Sequence, residues 1–326
     1  MSVSADKSPV KPTSRMGSQG PFWYYAPAPV RERPNECGTG ILPVVMPRTL
    51  EERDLRKAIN GWTFEPGTPL VQAAQAAATA GFQAFEPVLT AEGELSLATG
   101  EPECRKLGDA IRAAGLSIAS LACGLFWQYN FTAPDLANRR KARDLAIAGL
   151  DRARWLGTDA LLIVPGVVAH FRKPRELLCP YADALKLTFD ALRGLIPEAE
   201  KRGVVIGIEN VWNSFLLSPA EIRELIDRLN SPWVRVYLDV GNVVKFGLPE
   251  DWIDTLGRRI CRIHLKDFKT AVGTVDGFCP LGDGDVNWPA VMTALKRVNY
   301  SGPLTFEGPG DLADISRRID TILAGA

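Results

Sequence analysis

From about residue 56 onward, apolar and polar positions follow two alternating rhythms. Short runs of aliphatic and β-branched residues are each followed by longer stretches with apolar positions three and four apart, the pattern of strands followed by helices. The runs predict strands at Ala58–Phe64, Phe82–Leu89, Leu116–Cys123, Ala160–Val164, Val204–Trp212, Val234–Val240, Ile260–Leu265 and Pro303–Gly308. The longer periodicity predicts helices at Pro69–Ala80, Pro102–Ala114, Asp135–Leu156, Tyr181–Arg202, Pro219–Leu229, Glu250–Leu256, Trp288–Val298 and Leu312–Leu323. Gly81, Gly115, Gly157 and Gly203 stand where a helix closes on a left-handed residue. Ser218 before Pro219 reads as an N-cap, and Pro197 predicts a kink or break in its helix. Eight strand–helix units at so regular a spacing imply α/β class and a single (β/α)8 TIM barrel over residues 56–326. No G-x-G-x-x-G follows the first strand, which argues against an open dinucleotide-binding sheet.

Residues 1–55 break this rhythm. The segment is thick with Pro, Ser, Gly and Arg and predicts a poorly ordered or loosely draped N-terminal arm. Its one exception is the aromatic cluster Phe22–Tyr25, read as an accident of a tail in preference to a clip onto a partner. No apolar run approaches the ~18 residues of a membrane span, and no signal peptide is discernible. Of the 326 residues, 46% are hydrophobic and 23% charged, with zero formal net charge, so nothing favours nucleic acid or a membrane surface. The six cysteines are scattered without a C-x-x-C pair and read as reduced thiols in a cytoplasmic enzyme.

The chemistry gathers in the second half. Glu209, Asp239, His264 and Glu307 stand at the ends of four successive apolar strands. In parallel sheets the carboxyl ends of strands meet at one mouth, so the four side chains are expected to converge. Three converging carboxylates repel one another and lose hydration, which calls for either protonation or a cation. An oxygen-rich shell with one imidazole suits one divalent metal ion, Mn²⁺ or Mg²⁺ first, with Co²⁺, Zn²⁺ or Fe²⁺ compatible. Around them, Lys266 shares a strand face with His264, and Glu86 ends the second strand. His170 follows the fourth strand, and Trp212, Trp127 and Phe246 sit just past strand ends. Glu86, His170, Lys266 and Trp212 are therefore candidate substrate contacts.

With these residues placed, the chain from about Arg56 onward resembles the xylose isomerase-like barrel superfamily of sugar isomerases and epimerases. The motifs are IEN at Ile208–Asn210, LDVGN at Leu238–Asn242, HLKD at His264–Asp267, PLGDGDVNW at Pro280–Trp288 and FEG at Phe306–Gly308. They look closest to the ketose and L-xylulose/L-ribulose 5-phosphate 3-epimerases. The resemblance implies that Glu209, Asp239, His264 and Glu307 bind the metal and that Glu209 and Glu307 are the catalytic acid–base pair. It further implies ketose 3-epimerisation through an enediolate, on a sugar or sugar phosphate, by a homo-oligomer. Asn242, at a place that is His in the free-ketose enzymes, matches the sugar-phosphate branch and is a substrate-binding candidate. Thr270, where those enzymes have an arginine, points the same way. An aldose–ketose isomerase, an inosose-type dehydratase and a non-catalytic sugar-binding barrel stay open as alternatives.

Overall fold

The computed structural model describes residues 55–325. The predicted arm, up to its junction at residue 55, and the Phe22–Tyr25 cluster therefore lie outside the described residues. Eight parallel strands form one sheet: β1 (Arg56–Asn60), β2 (Ala84–Glu86), β3 (Ser117–Ile118), β4 (Ala160–Ile163), β5 (Val205–Glu209), β6 (Val234–Asp239), β7 (Ile260–Leu265) and β8 (Pro303–Phe306). Their lateral order is β3-β2-β1-β8-β7-β6-β5-β4. The two end strands are joined just past β3, where Leu121 bridges Leu161. The Leu121 amide donates to the Ala160 carbonyl and the Leu162 amide to the Leu121 carbonyl, each at 2.9 Å. That contact closes the sheet into a barrel, as the strand–helix alternation requires.

Eight helices cover the strands: α1 (Leu70–Thr79), α2 (Glu101–Ala113), α3 (Leu136–Leu156), α4 (Tyr181–Arg202), α5 (Pro219–Leu229), α6 (Pro249–Leu256), α7 (Trp288–Arg297) and α8 (Leu312–Ala324). Their ends follow from local chemistry. Ser218 and Glu221 form a reciprocal capping box at the start of α5. Gly157 and Gly203, at φ +86° and +66°, close α3 and α4 in the left-handed region. The strands are buried on both faces, so they read as near-continuous apolar runs.

The structure corrects several boundaries. β1 stops at Asn60, whose side chain accepts from the Trp62 amide and opens a 3₁₀ turn over the residues expected to extend the strand. The second and third runs are each interrupted. Pro87 cannot donate to a ladder, and beyond it Val88–Leu89 pairs with Ala122–Cys123 as a separate two-stranded ribbon. The break expected at Pro197 does not occur, and α4 runs through it. Pro197 lies on the exposed face, where water can satisfy the Arg193 carbonyl that loses its donor. A short helix at Val240–Val244 and an antiparallel pair, Asp267–Phe268 with Phe278–Cys279, are further elements at the mouth.

No helix among the described residues is long and apolar enough to cross a membrane.

Candidate metal centre

Glu209 ends β5, Asp239 ends β6, His264 lies one residue before the end of β7, and Glu307 follows β8. One ligand atom from each falls within 4.8 Å of every other. His264 Nδ1 stands 3.1 Å from Glu209 Oε1 and 2.7 Å from Glu307 Oε2. The Lys266 ammonium is 3.1 Å from Asp239 Oδ2 and 2.9 Å from Glu307 Oε2. Asp239 and His264 are fully buried, Glu209 nearly so and Glu307 partly.

Backbone chemistry fixes these side chains. Asp239 caps the short helix that follows it, its Oδ1 accepting from the Asn242 amide at 2.8 Å, which turns Oδ2 toward the other acids. Asn210 locks the ends of β5 and β6 together. Its Oδ1 accepts from the Asp239 amide at 2.8 Å, and its Nδ2 donates to the Asp239 carbonyl at 2.9 Å. Sequence reasoning named Asn210 only as part of a motif. Its side-chain amide mimics one more rung of ladder.

Behind the cluster, Glu86 is fully buried and does not reach the cavity. Its carboxylate accepts from Asn60 Nδ2 at 2.5 Å, Ser120 Oγ at 2.6 Å and Tyr237 Oη at 2.7 Å, and contacts His264 Nε2 at 2.8 Å. Four partners leave no lone pair for a sugar hydroxyl, which corrects the expected substrate contact. Glu86 instead holds the Nε2 side of His264, leaving Nδ1 to face the acids. This is the carboxylate–histidine support that metal sites use to fix a tautomer.

The electrostatics are those of a crowded acid cluster. Burial and the Glu307 charge push Glu209 up to about 7 against the His264 contact. Burial would raise Glu307 too, but the Lys266 and His264 charges take it down to about 2. Burial raises Asp239, with Lys266 opposing. His264 resists its burial and is held well above the usual imidazole range by Glu86 and Glu307. Asp239 Oδ2 and Glu307 Oε2 are buried without a well-aligned hydrogen bond. Three crowded carboxylates beside a supported imidazole fit a divalent cation, which Glu209, Asp239, His264 and Glu307 would hold.

Above the cluster opens a cavity of about 560 Å³. Glu209, Glu307, Lys266, Asn242 and Trp212 line it, in keeping with their expected positions. Trp212 stacks on Phe278 at 5.0 Å between ring centroids and donates from Nε1 to the Asn242 carbonyl at 3.1 Å. Trp127 is also on the wall, whereas Phe246 is half-exposed outside it. His170 is not on the wall. It stacks behind Phe171 at 4.4 Å, and Phe171 and Arg172 face the cavity in its place. Trp62, Phe171, Arg172 and Phe278 were not anticipated: Phe171 and Arg172 lie in a loop, which carries no periodic signal, and Trp62 and Phe278 lie in a 3₁₀ turn and a two-residue strand set by tertiary contacts.

The profile of the xylose isomerase-like TIM barrel family matches residues 74–323, and the chain belongs to that family. Among curated relatives, a putative L-ribulose-5-phosphate 3-epimerase of Escherichia coli K12 is 26% identical over 202 residues, 61% of this chain and 68% of the relative. The 2-epi-5-epi-valiolone 7-phosphate 2-epimerase of an Actinoplanes species is 31% identical over 245 residues, 74% of this chain and 82% of the relative. Both are named as epimerases, a class of isomerase. Among solved structures, a D-psicose 3-epimerase superposes with a TM-score of 0.68 at 17% identity, covering 83% of this chain and 97% of its own. This last likeness is one of fold.

Proposed function

We infer that the chain is a metal-dependent epimerase of a sugar or sugar phosphate, acting at C3 of a ketose. The observation that supports this most directly is the convergence of Glu209, Asp239, His264 and Glu307 within 4.8 Å beneath an aromatic-walled cavity. Epimerase names among the relatives support the same reading. A divalent cation held there supplies Lewis-acid polarisation of the ketose carbonyl, which acidifies the neighbouring C–H.

The remaining work falls to the protein's own groups. Glu209 and Glu307 come from β5 and β8, separated by two strands, and so approach a bound sugar from different sides. One carboxylate takes the C3 proton and the other returns a proton to the opposite face. The sugar's starting configuration decides which does which. Trp212 and Phe278 exclude water from one wall, and Asn242, Lys266 and Arg172 offer donors to hydroxyls or an anionic group.

The test is deuterium incorporation from D₂O across a panel of ketoses, ketose phosphates and inososes, with bound metal measured on the same preparation. Deuterium at C3 of at least one ketose, lost on metal removal, is expected. No incorporation at C3 in any compound overturns the reading. Label at C1 or C2 alone marks an aldose–ketose isomerase, and loss of water from an inosose marks a dehydratase.

A further inference from the structure

At the opposite mouth of the barrel, where the strands begin, lies a second cavity of about 810 Å³. Five arginines line it, Arg56, Arg112, Arg235, Arg258 and Arg262, against a single carboxylate, Asp159. Arg56, Arg235 and Arg262 come from the first residues of β1, β6 and β7. Strand alternation puts Arg235 on the same face as Tyr237 and Asp239, and Arg262 on the same face as His264 and Lys266. Contacts agree: Arg262 Nε crosses from β7 to donate to the Ala119 carbonyl at 2.6 Å, and Arg56 Nη1 reaches Ser117 Oγ at 2.8 Å. Ser117, Thr158, Asn299 and Ser301 add hydroxyl and amide groups to the same wall.

Two of these charges, on Arg235 and Arg258, have no carboxylate partner among the described residues. Arg262 is paired with Asp159, and Arg112 with Asp109 at 2.8 Å. Arg235 donates only to backbone, including the Ile260 carbonyl at 2.9 Å, and Arg258 is exposed. Neither has a carboxylate within 4.0 Å among the described residues. Arginines serving only to staple strand ends need no surplus of charge, and gathering them costs mutual repulsion. Guanidinium groups converging on one polar cavity match the oxygens of phosphate groups, which accept paired N–H bonds.

We propose that the strand-start mouth of the barrel is a binding site for a small phosphate-bearing anion, recognised by Arg235, Arg258 and their neighbours. The site is independent of the metal centre, which opens at the other end of the strands.

Isothermal titration of the full-length, metal-loaded chain with inorganic pyrophosphate tests this, with orthophosphate at matched ionic strength as comparison. One saturable site per chain is expected for at least one of the two anions. Arg258→Glu, at an exposed position with no ion pair to lose, and Arg235→Gln should each weaken binding about tenfold or more, the scale of one charge-assisted contact. Glu307→Gln at the far mouth should leave it unchanged. Absence of saturable binding overturns the proposal. So does binding that persists in Arg258→Glu and Arg235→Gln, or that disappears with Glu307→Gln and so belongs to the metal centre.

Discussion

Glu86 shows what one buried side chain does for a site it does not line. Its two oxygens take donors from β1, from the turn after β3 and from β6, and it faces His264 on β7. Glu86→Gln removes the negative charge behind the imidazole while keeping the shape. We expect metal affinity to fall about 10- to 100-fold, read by titration with Mn²⁺. An unchanged affinity would mean that the carboxylate only fills space. From the sequence, Glu86 looks the same as Glu209 or Glu307, an acid closing an apolar strand. The four candidate ligands were legible because each ends a strand whose neighbour also ends in one. The different role of Glu86 was not, because Asn60, Ser120 and Tyr237 come from three other places in the chain and only folding brings them together. His170 was misplaced for a related reason, since a loop has no alternation to say which of three adjacent residues turns inward.

At the scale of elements, two of the motifs that carried the family resemblance explain each other. Asp267, closing HLKD, accepts from the Phe268 amide at 2.9 Å, the Gly282 amide at 2.8 Å, the Val286 amide at 3.2 Å and Trp288 Nε1 at 3.0 Å. The segment 280–288 is thus wrapped around one carboxylate. Gly284 must lack a side chain, because a Cβ there would stand 2.1 Å from Asp267 Oδ1 and 2.7 Å from the Phe268 nitrogen. Asp267→Ala leaves several buried donors unpaired and should cost at least about 3 kcal/mol, measured by urea unfolding. Gly241, in the short helix after β6, has a similar constraint: a Cβ would lie 2.5 Å from Lys266 Cβ and 2.9 Å from its carbonyl oxygen. Gly241→Ala should therefore separate β6 from β7 at the mouth, at a cost of about 1–3 kcal/mol, with weaker metal binding in the same titration. Long helices were read from the sequence almost to the residue because periodicity and capping agree there. Two-residue strands and the mouth hairpin were not, because they are set by partners distant in the chain.

For the whole molecule, the barrel interior has a direction. Arginines stand at the strand starts, the small residues Ala58, Ala84 and Ala119 cluster in the middle, Gly207 makes room beside Tyr237, and acids crowd the strand ends. A cation at the acid end binds only the folded arrangement of the four side chains, so the apo chain should be less stable. At about 100-fold excess over the dissociation constant a bound ion contributes roughly 2.7 kcal/mol. For a chain of this size that raises Tm by about 4–5 °C. Thermal scans after chelation and after restoring Mn²⁺ check this, and coincident curves would exclude tight binding at the cluster.

The barrel's circumference is completed at one residue, Leu121, next to the serine that donates to Glu86. A cylinder joined so narrowly should part there before anywhere else, as a zip opens from its last tooth. Every such parting would loosen the grip on His264, so an ion seated against that imidazole would act from a distance as a latch. Hydrogen–deuterium exchange at the Leu121 and Leu162 amides should slow when Mn²⁺ is added, and equal rates with and without the ion would show that the seam and the ion are indifferent to one another.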